Sequence, residues 1–250
     1  MRSLTQQQSH QEAGYFFPYH YLDLSVPEYT YLWHIEYLNY LQTVKQLLKS
    51  YNCKSVLDTG CGDGRFCYEL KKDGFTVTGV DYSERALQFA KAFNPEVPFS
   101  VQNIEHLRFK QQFDAVVLIE TLEHIIPERI PLVLKSIANI MHKNSIFIIT
   151  VPTTNQPLAD KHYQHFTPNH LTATLSSYFT IVQLLGDSNT GYKRSVYLFL
   201  KKICYLLFPL RKKLPFIQRG LVSLQSYYKK HLASGDPNTS LRLIAVCKKK

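Results

Sequence analysis

Val56-Leu57-Asp58-Thr59-Gly60-Cys61-Gly62-Asp63-Gly64-Arg65-Phe66 runs from a strand-like apolar segment, through three glycines at alternate positions, into a helix-like one. Glycines at that spacing permit positive φ and let a ligand approach the backbone closely. Outward from this turn the chain alternates between two periods. Strand-like SVLD (55–58) and a helix over 64–72 are followed by strand FTVTGVD (75–81), helix 83–93 and the short strand PFSVQ (98–102). Strand FDAVVLIE (113–120) leads into a helix over 127–141, with Pro127 and Pro131 at its start. Strand SIFIITV (145–151), helix 168–177 and strands FTIVQLL (179–185) and LRLIAVC (241–247) complete the series. Upstream, Leu32, Ile35, Leu38, Leu41, Val44 and Leu48 predict a helix over 30–50.

Strands alternating with helices predict an α/β, Rossmann-like doubly wound fold. The sheet is expected to be mostly parallel and seven-stranded, with helices on both faces and a helical insertion before the last strand. Ligands then belong at the carboxyl ends of the strands. Composition agrees with a globular chain: of 250 residues, 45% are apolar and 19% charged, which excludes disorder, collagen and coiled coil. No uncharged apolar run is long enough to span a bilayer; the nearest, Val196 to Leu210, is broken by Lys201 and Lys202. The start, MRSLTQQQSHQEAG, lacks the apolar centre of a signal peptide, so a cytoplasmic location is expected. Cys53, Cys61, Cys67, Cys204 and Cys247 follow no zinc spacing and are expected as free thiols.

The net charge of +10 is unevenly placed. Residues 188–235 hold Lys193, Arg194, Lys201, Lys202, Arg211, Lys212, Lys213, Arg219, Lys229 and Lys230 and no acidic residue, while the rest of the chain is balanced. The expected organisation is an aromatic N-terminal cover (1–29, with Tyr15 to Tyr21 over the ligand), a core (30–187 and 240–250) and a basic insertion (188–239). Within the insertion, Tyr192, Val196, Tyr197, Leu200, Ile203, Cys204, Leu207 and Leu210, then Ile217, Leu221, Leu224 and Tyr228, predict two amphipathic helices over 192–232 broken near Pro209 and Pro215. A substrate lid and a contact with a membrane surface both suit them. Nucleic acid is the less favoured partner, because bulky aliphatics outnumber stacking residues.

Two ligands suit the glycine turn: a dinucleotide or S-adenosylmethionine. A dinucleotide turn needs a small residue where Arg65 stands, and Asp58 repels pyrophosphate but attracts an ammonium. Asp81, closing the second strand, can accept from ribose hydroxyls. VLDTGCGDGRF, VTGVDYS, FDAVVLIETLEHI and SIFIITVP, spread over residues 54–187, resemble in order and spacing the class I S-adenosylmethionine-dependent methyltransferases. That resemblance implies S-adenosylmethionine as cofactor, with Asp58, Gly60, Cys61 and Gly62 at its methionine end, Asp81 on the ribose and Tyr82 on the adenine. Asn103 stands where many members of the family have Asp against the adenine amino group and can accept through its carbonyl oxygen. Ile104 and Ile119 complete the set, and Cys61 reads as small and buried.

After the fourth strand comes Glu120-Thr121-Leu122-Glu123-His124, and downstream Asp160-Lys161-His162-Tyr163-Gln164-His165-Phe166. Positions i, i+3 and i+4 share one face of a helical turn. Three readings stand. The acids favour a helix N-terminus and His124 is an ordinary polar residue; or His124 or His165 is a general base for a hydroxyl; or Glu120, Glu123, His124 and His165 ligate Mg²⁺ or Mn²⁺. If His165 lies too far away, His162 is the next candidate. The cluster resembles the ubiquinone-biosynthesis O-methyltransferases and, in this cluster alone, the small-RNA 3′-terminal 2′-O-methyltransferases. The expected function is methyl transfer to an oxygen of a small-molecule, glycan or lipid-linked acceptor. An RNA ribose methyltransferase and a non-catalytic cofactor-binding module are the alternatives; the intact Asp58, Gly60, Gly62 and Asp81 set speaks against the module.

Overall fold

The computed structural model describes residues 5–22, 34–210 and 212–250, with the side chains of residues 8, 215 and 218 outside the description. Expectations for residues 1–4 and 23–33, including the first part of the helix over 30–50, lie outside the described residues. Helix α1 (Gln6–Gly14) and a single turn, Tyr19–Tyr21, precede α2 (Ile35–Ser50). Five strands then pair in parallel in the order β3-β2-β1-β4-β5: β1 (Ser55–Thr59), β2 (Thr76–Asp81), β3 (Phe99–Val101), β4 (Phe113–Ile119) and β5 (Met141–Pro152). The end of the seven-stranded sheet is antiparallel. β7 (Ser240–Lys249) lies between β5 and β6 (Phe179–Asn189) and runs against both.

The alternation along each strand builds two cores. Leu57, Val116, Leu118 and Phe147 face one side, against α5 (Ile130–Ile140) and α6 (Pro168–Leu175). Val56, Ala115, Val117 and Ile148 face the other, with α2, α3 (Arg65–Lys72) and α4 (Glu84–Phe93). Local chemistry sets the helix starts. Ser83 Oγ accepts from the Ala86 N–H at 3.0 Å to cap α4, and Thr167 Oγ1 accepts from the His170 N–H at 3.1 Å to cap α6, whose first residue is Pro168. Such a cap contributes about 1 kcal/mol. The helix expected over 127–141 begins as a 3₁₀ turn, Pro127–Arg129, and yields to β5 at Met141.

Strand order reverses between β1 and β4, which opens a crevice at their carboxyl ends. The insertion rises between β6 and β7 as α7 (Tyr192–Leu207), a 3₁₀ turn Phe208–Leu210 and α8 (Pro215–His231), so Pro209 and Pro215 flank the break. It has a core of its own: Tyr197, Phe208, Leu221, Leu224, Tyr228 and Leu232 close around Ile35 of α2. The expected apolar set on α7 divides between two faces. Tyr197 and Cys204 pack inward, while Tyr192, Val196, Leu200 and Ile203 are exposed, as is Leu210 in the turn that follows. Among the described residues, no helix is long and apolar enough to cross a membrane.

Candidate active site

A cavity of about 1090 Å³ occupies the crevice, and every residue of the expected cofactor set lines it: Asp58, Gly60, Cys61, Gly62, Asp81, Tyr82, Asn103, Ile104 and Ile119. The glycine turn leaves β1 with the Gly60 and Cys61 N–H groups donating to Val80 O at 2.8 and 3.0 Å. Gly60 and Gly62 take φ of +73° and +54°, and a Cβ on either would lie 2.7 Å from a neighbouring side chain: Thr121 for Gly60 and the Tyr15 hydroxyl for Gly62. The Asp81 carboxylate accepts from the Gly62 N–H at 2.8 Å and the Ser83 N–H at 2.9 Å.

Burial pushes the Asp58 carboxyl up to about 7 and that of Asp81 up to about 6. Asp58 is 2% exposed and, among the described residues, accepts a single hydrogen bond, from the Cys67 thiol at 3.3 Å. Such acids favour a ligand that brings a cation or several hydroxyl donors, which is what an amino-acid ammonium and a ribose offer. Asn103 Oδ1 already accepts from the Glu105 N–H at 3.0 Å, leaving its second lone pair for a ligand. Burial raises the Cys61 thiol to about 12, so it stays protonated.

The N-terminal segment covers this turn. Tyr15 and Tyr19 line the cavity, and His20 Nδ1 sits 3.0 Å from both Asp63 oxygens. Arg65, the residue that breaks the dinucleotide pattern, donates to His20 O at 2.7 Å and to Glu69 at 2.9 Å, with its guanidinium 5.5 Å from the Tyr21 ring centroid. Nothing in sequence marks His20 and Asp63 as partners, because they stand 43 residues apart.

The cluster after β4 differs from expectation in two ligands. Glu120 adopts φ +45°, a left-handed conformation rare outside glycine, and turns away from its neighbours. It accepts from Thr150 Oγ1 at 2.9 Å and pairs with Arg242, with Nε to Oε1 at 3.0 Å and Nη2 to Oε2 at 3.1 Å. Both Glu120 oxygens are engaged by the guanidinium, and Glu120 is not among the three groups whose ligand-type atoms converge. Glu120 does line the cavity, whereas His165 does not: it stands behind His162, whose Nδ1 lies 2.8 Å from His165 Nε2. The groups brought together are Glu123, His124 and His162, with ligand-type atoms all within 4.8 Å of one another.

Hydrogen bonds fix the tautomers. A carbonyl only accepts, so His124 Nδ1–H donates to Lys161 O at 3.0 Å and leaves Nε2 with a lone pair. Likewise His165 Nδ1–H donates to Gln156 O at 3.3 Å, so its Nε2 accepts from His162 Nδ1–H and His162 Nε2 keeps a lone pair. Burial pulls His124 down to about 4 and His162 down to about 3, so both rings are neutral at neutral pH. Burial and the nearby Glu120 push Glu123 well up, and its Oε2 has no hydrogen-bond partner among the described residues. The opposite wall is aromatic: Tyr37 and Tyr40 of α2 line the cavity, and the Arg242 guanidinium stacks 3.8 Å from the Tyr40 ring centroid while also holding Asp187 Oδ2 at 3.0 Å. Sequence reading missed this wall, since the periodicity of α2 marks Ile35, Leu38 and Leu41 but is silent on Tyr37 and Tyr40 between them.

A family model described as a methyltransferase domain matches residues 52–202. The chain belongs to the class I S-adenosylmethionine-dependent methyltransferases. A putative methyltransferase from Geobacillus sp. (strain WCH70) is 37% identical to this methyltransferase over 93 residues, which is 34% of this chain and 38% of that protein. A ubiquinone biosynthesis O-methyltransferase from Rickettsia bellii is 34% identical over 95 residues, 35% of this chain and 39% of that one. The chain thus spans well under half the length of these curated relatives. An S-adenosylmethionine-dependent methyltransferase from Clostridium acetobutylicum shares the fold, with a TM-score of 0.58 at 12% identity over 85% of this chain and 91% of that one.

Proposed function

We propose that this methyltransferase methylates a hydroxyl oxygen of a small-molecule, glycan or lipid-linked acceptor. The observation that carries the reading is the pair of neutral imidazoles, His124 and His162, each with an Nε2 lone pair in the cavity that also holds Asp58 and Asp81. S-adenosylmethionine supplies a methyl group on a sulfonium, a centre with a good neutral leaving group, so this chain has to align an acceptor and take its proton. Asp58 would meet the ammonium and Asp81 the ribose hydroxyls, with Tyr82 and Asn103 at the adenine. His124 or His162 would accept the hydroxyl proton, and His165 acts as a positioning residue that holds the His162 tautomer. Similarity to the Rickettsia bellii O-methyltransferase supports oxygen as the acceptor atom.

A second reading rests on the unpartnered Glu123 Oε2. Glu123, His124 and His162 would hold a divalent cation such as Mg²⁺ or Mn²⁺, since their ligand atoms lie within 4.8 Å of one another and a small side-chain adjustment would bring them to bonds of about 2.0–2.2 Å on one ion. A bound cation lowers the pKa of a coordinated hydroxyl. The test uses the full chain with methyl-labelled cofactor and a panel of phenol, catechol, glycan and polyprenol acceptors beside amine and thiol ones, with and without chelator. Label on oxygen supports the reading, and label only on nitrogen or sulfur overturns it. Turnover that stops in chelator and returns with Mg²⁺ or Mn²⁺ selects the cation; full turnover after dialysis against chelator selects the imidazoles alone.

A further inference from the structure

Helix α7 carries apolar side chains on two opposite sides. Its inward side, Tyr197 and Cys204, joins Ile35, Leu221, Leu224 and Tyr228 and accounts for how the insertion packs. Along the other side Tyr192, Val196, Phe199, Ile203, Leu206 and Leu210 recur at steps of three and four residues, and all are exposed, Phe199 at 64% and Leu206 at 71%. The insertion's second helix, α8, adds exposed Phe216 and Val222. None of these side chains belongs to the core of the insertion, and an exposed apolar patch marks an interaction surface. Lys202, Lys212, Lys213, Arg219, Lys229 and Lys230 are exposed on the same two helices and the turn between them, and no acidic residue occurs in residues 188–235. The acid that answers this charge comes from outside the insertion: Glu36 of α2 accepts from Lys201 at 2.8 Å.

We propose that this face docks on an anionic bilayer, with the outer stripe of α7 lying in the interface and the lysines among the headgroups. The two halves of the surface select this occupant together. The cations require a negative partner, and each contributes about 1 kcal/mol near an anionic leaflet. Val196, Ile203, Leu206 and Leu210 require hydrocarbon, as interfacial helices do. A second copy of the chain would set one all-basic face against another. A nucleic acid would answer the charge and leave the aliphatic stripe against phosphate and water. Glu36, the anchor for α7, is next to Tyr37 on α2, and Tyr37, Tyr40 and Leu41 line the cavity. Docking therefore holds the helix that walls the acceptor site beside the membrane.

The test sediments the full chain with vesicles of phosphatidylcholine alone and of phosphatidylcholine and phosphatidylglycerol in equal parts. Binding should favour the anionic vesicles and fall with salt as the Debye length shrinks from about 10 Å at 0.1 M to about 3 Å at 1 M. Phe199→Ser with Leu206→Ser should weaken partitioning by on the order of tenfold or more. Lys202→Gln with Lys230→Gln should weaken binding to anionic vesicles and leave the phosphatidylcholine control unchanged. Calorimetry with S-adenosylhomocysteine checks that each variant is folded and keeps this result separate from the methyl-transfer reading. No sedimentation at low salt overturns the proposal, as does sedimentation that survives both pairs of substitutions. It is equally overturned by wild-type self-association that the Phe199→Ser, Leu206→Ser variant loses, or by tight binding of single-stranded RNA that this variant keeps.

Discussion

Arg242→Met tests the charge network beneath the cluster. The guanidinium lies 3.0 Å from Glu120 Oε1, 3.0 Å from Asp187 Oδ2 and 3.8 Å from the Tyr40 ring centroid. Asp187 is 0% exposed and its Oδ1 has no partner among the described residues, so removing the guanidinium leaves a buried carboxylate unanswered. Breaking such a pair costs about 3–5 kcal/mol, and the lost ring contact belongs to the same event. The pH dependence gives a sharper check. Burial already holds Asp187 up at about 6 with Arg242 beside it, and the variant should raise it further. An acid whose folded pKa exceeds its unfolded value of about 3.9 destabilises the fold above that folded pKa, and the penalty disappears as pH falls through it. The stability difference between wild type and variant should therefore shrink between pH 8 and pH 5. Each tenfold change in the acid's dissociation constant is worth about 1.4 kcal/mol, so the change should be on the order of 1 kcal/mol or more. Adding Asp187→Asn should recover part of the loss at pH 8 and none at pH 5. Urea unfolding followed by circular dichroism at both pH values reads all three variants. A loss below about 1 kcal/mol at pH 8, or one that does not change with pH, would refute the argument.

Asp81→Ala should weaken S-adenosylmethionine binding by about 1.5–3 kcal/mol in calorimetry, because charge-assisted hydrogen bonds to the ribose are lost; equal affinity in both proteins would remove that contact. Gly64→Ala should cost about 2–4 kcal/mol of stability in urea, from left-handed strain and overpacking. Gly64 has φ +78°, and the new Cβ would sit 2.8 Å from Ala90 Cβ and 3.1 Å from its backbone Cα. His124→Gln and His162→Gln should each lower turnover by about 10² or more with unchanged cofactor affinity. His165→Gln should lower it less, and a turnover loss from His165→Gln equal to that from His162→Gln would contradict its supporting place.

The alternation of strands and helices was legible because a period of two on buried strands and of three to four on helices is imposed by geometry alone. The cofactor turn was legible because a close backbone approach demands glycine and a ribose demands an acid, and both demands act locally. The acceptor side is set by contacts distant in sequence. Glu120 could be read as a ligand because its partner, Arg242, stands 122 residues away on a strand that runs antiparallel into the sheet. Helical spacing implied that Glu120, Glu123 and His124 share a face, but the left-handed φ at Glu120 ends that register. His162 displaced His165 because the Tyr163 N–H donates to Glu123 O at 2.8 Å, which pins the loop with His162 toward the cavity. No local pattern encodes that pin.

The position of β7 has a kinetic consequence. Among the described residues β6 has no neighbour in the sheet except β7, so it cannot pair until β7 lies beside β5, and bringing β7 to β5 closes a loop that contains β6 and the whole insertion. Closing a loop of that length carries an entropic penalty that grows with the logarithm of its length, and it precedes any reward from the long-range pairing. The core of the insertion, Tyr197, Leu221, Leu224 and Tyr228, shortens the effective loop if it forms first. Truncating those side chains should then slow the late folding phase in which β6 and β7 join β5, although none of them belongs to either strand.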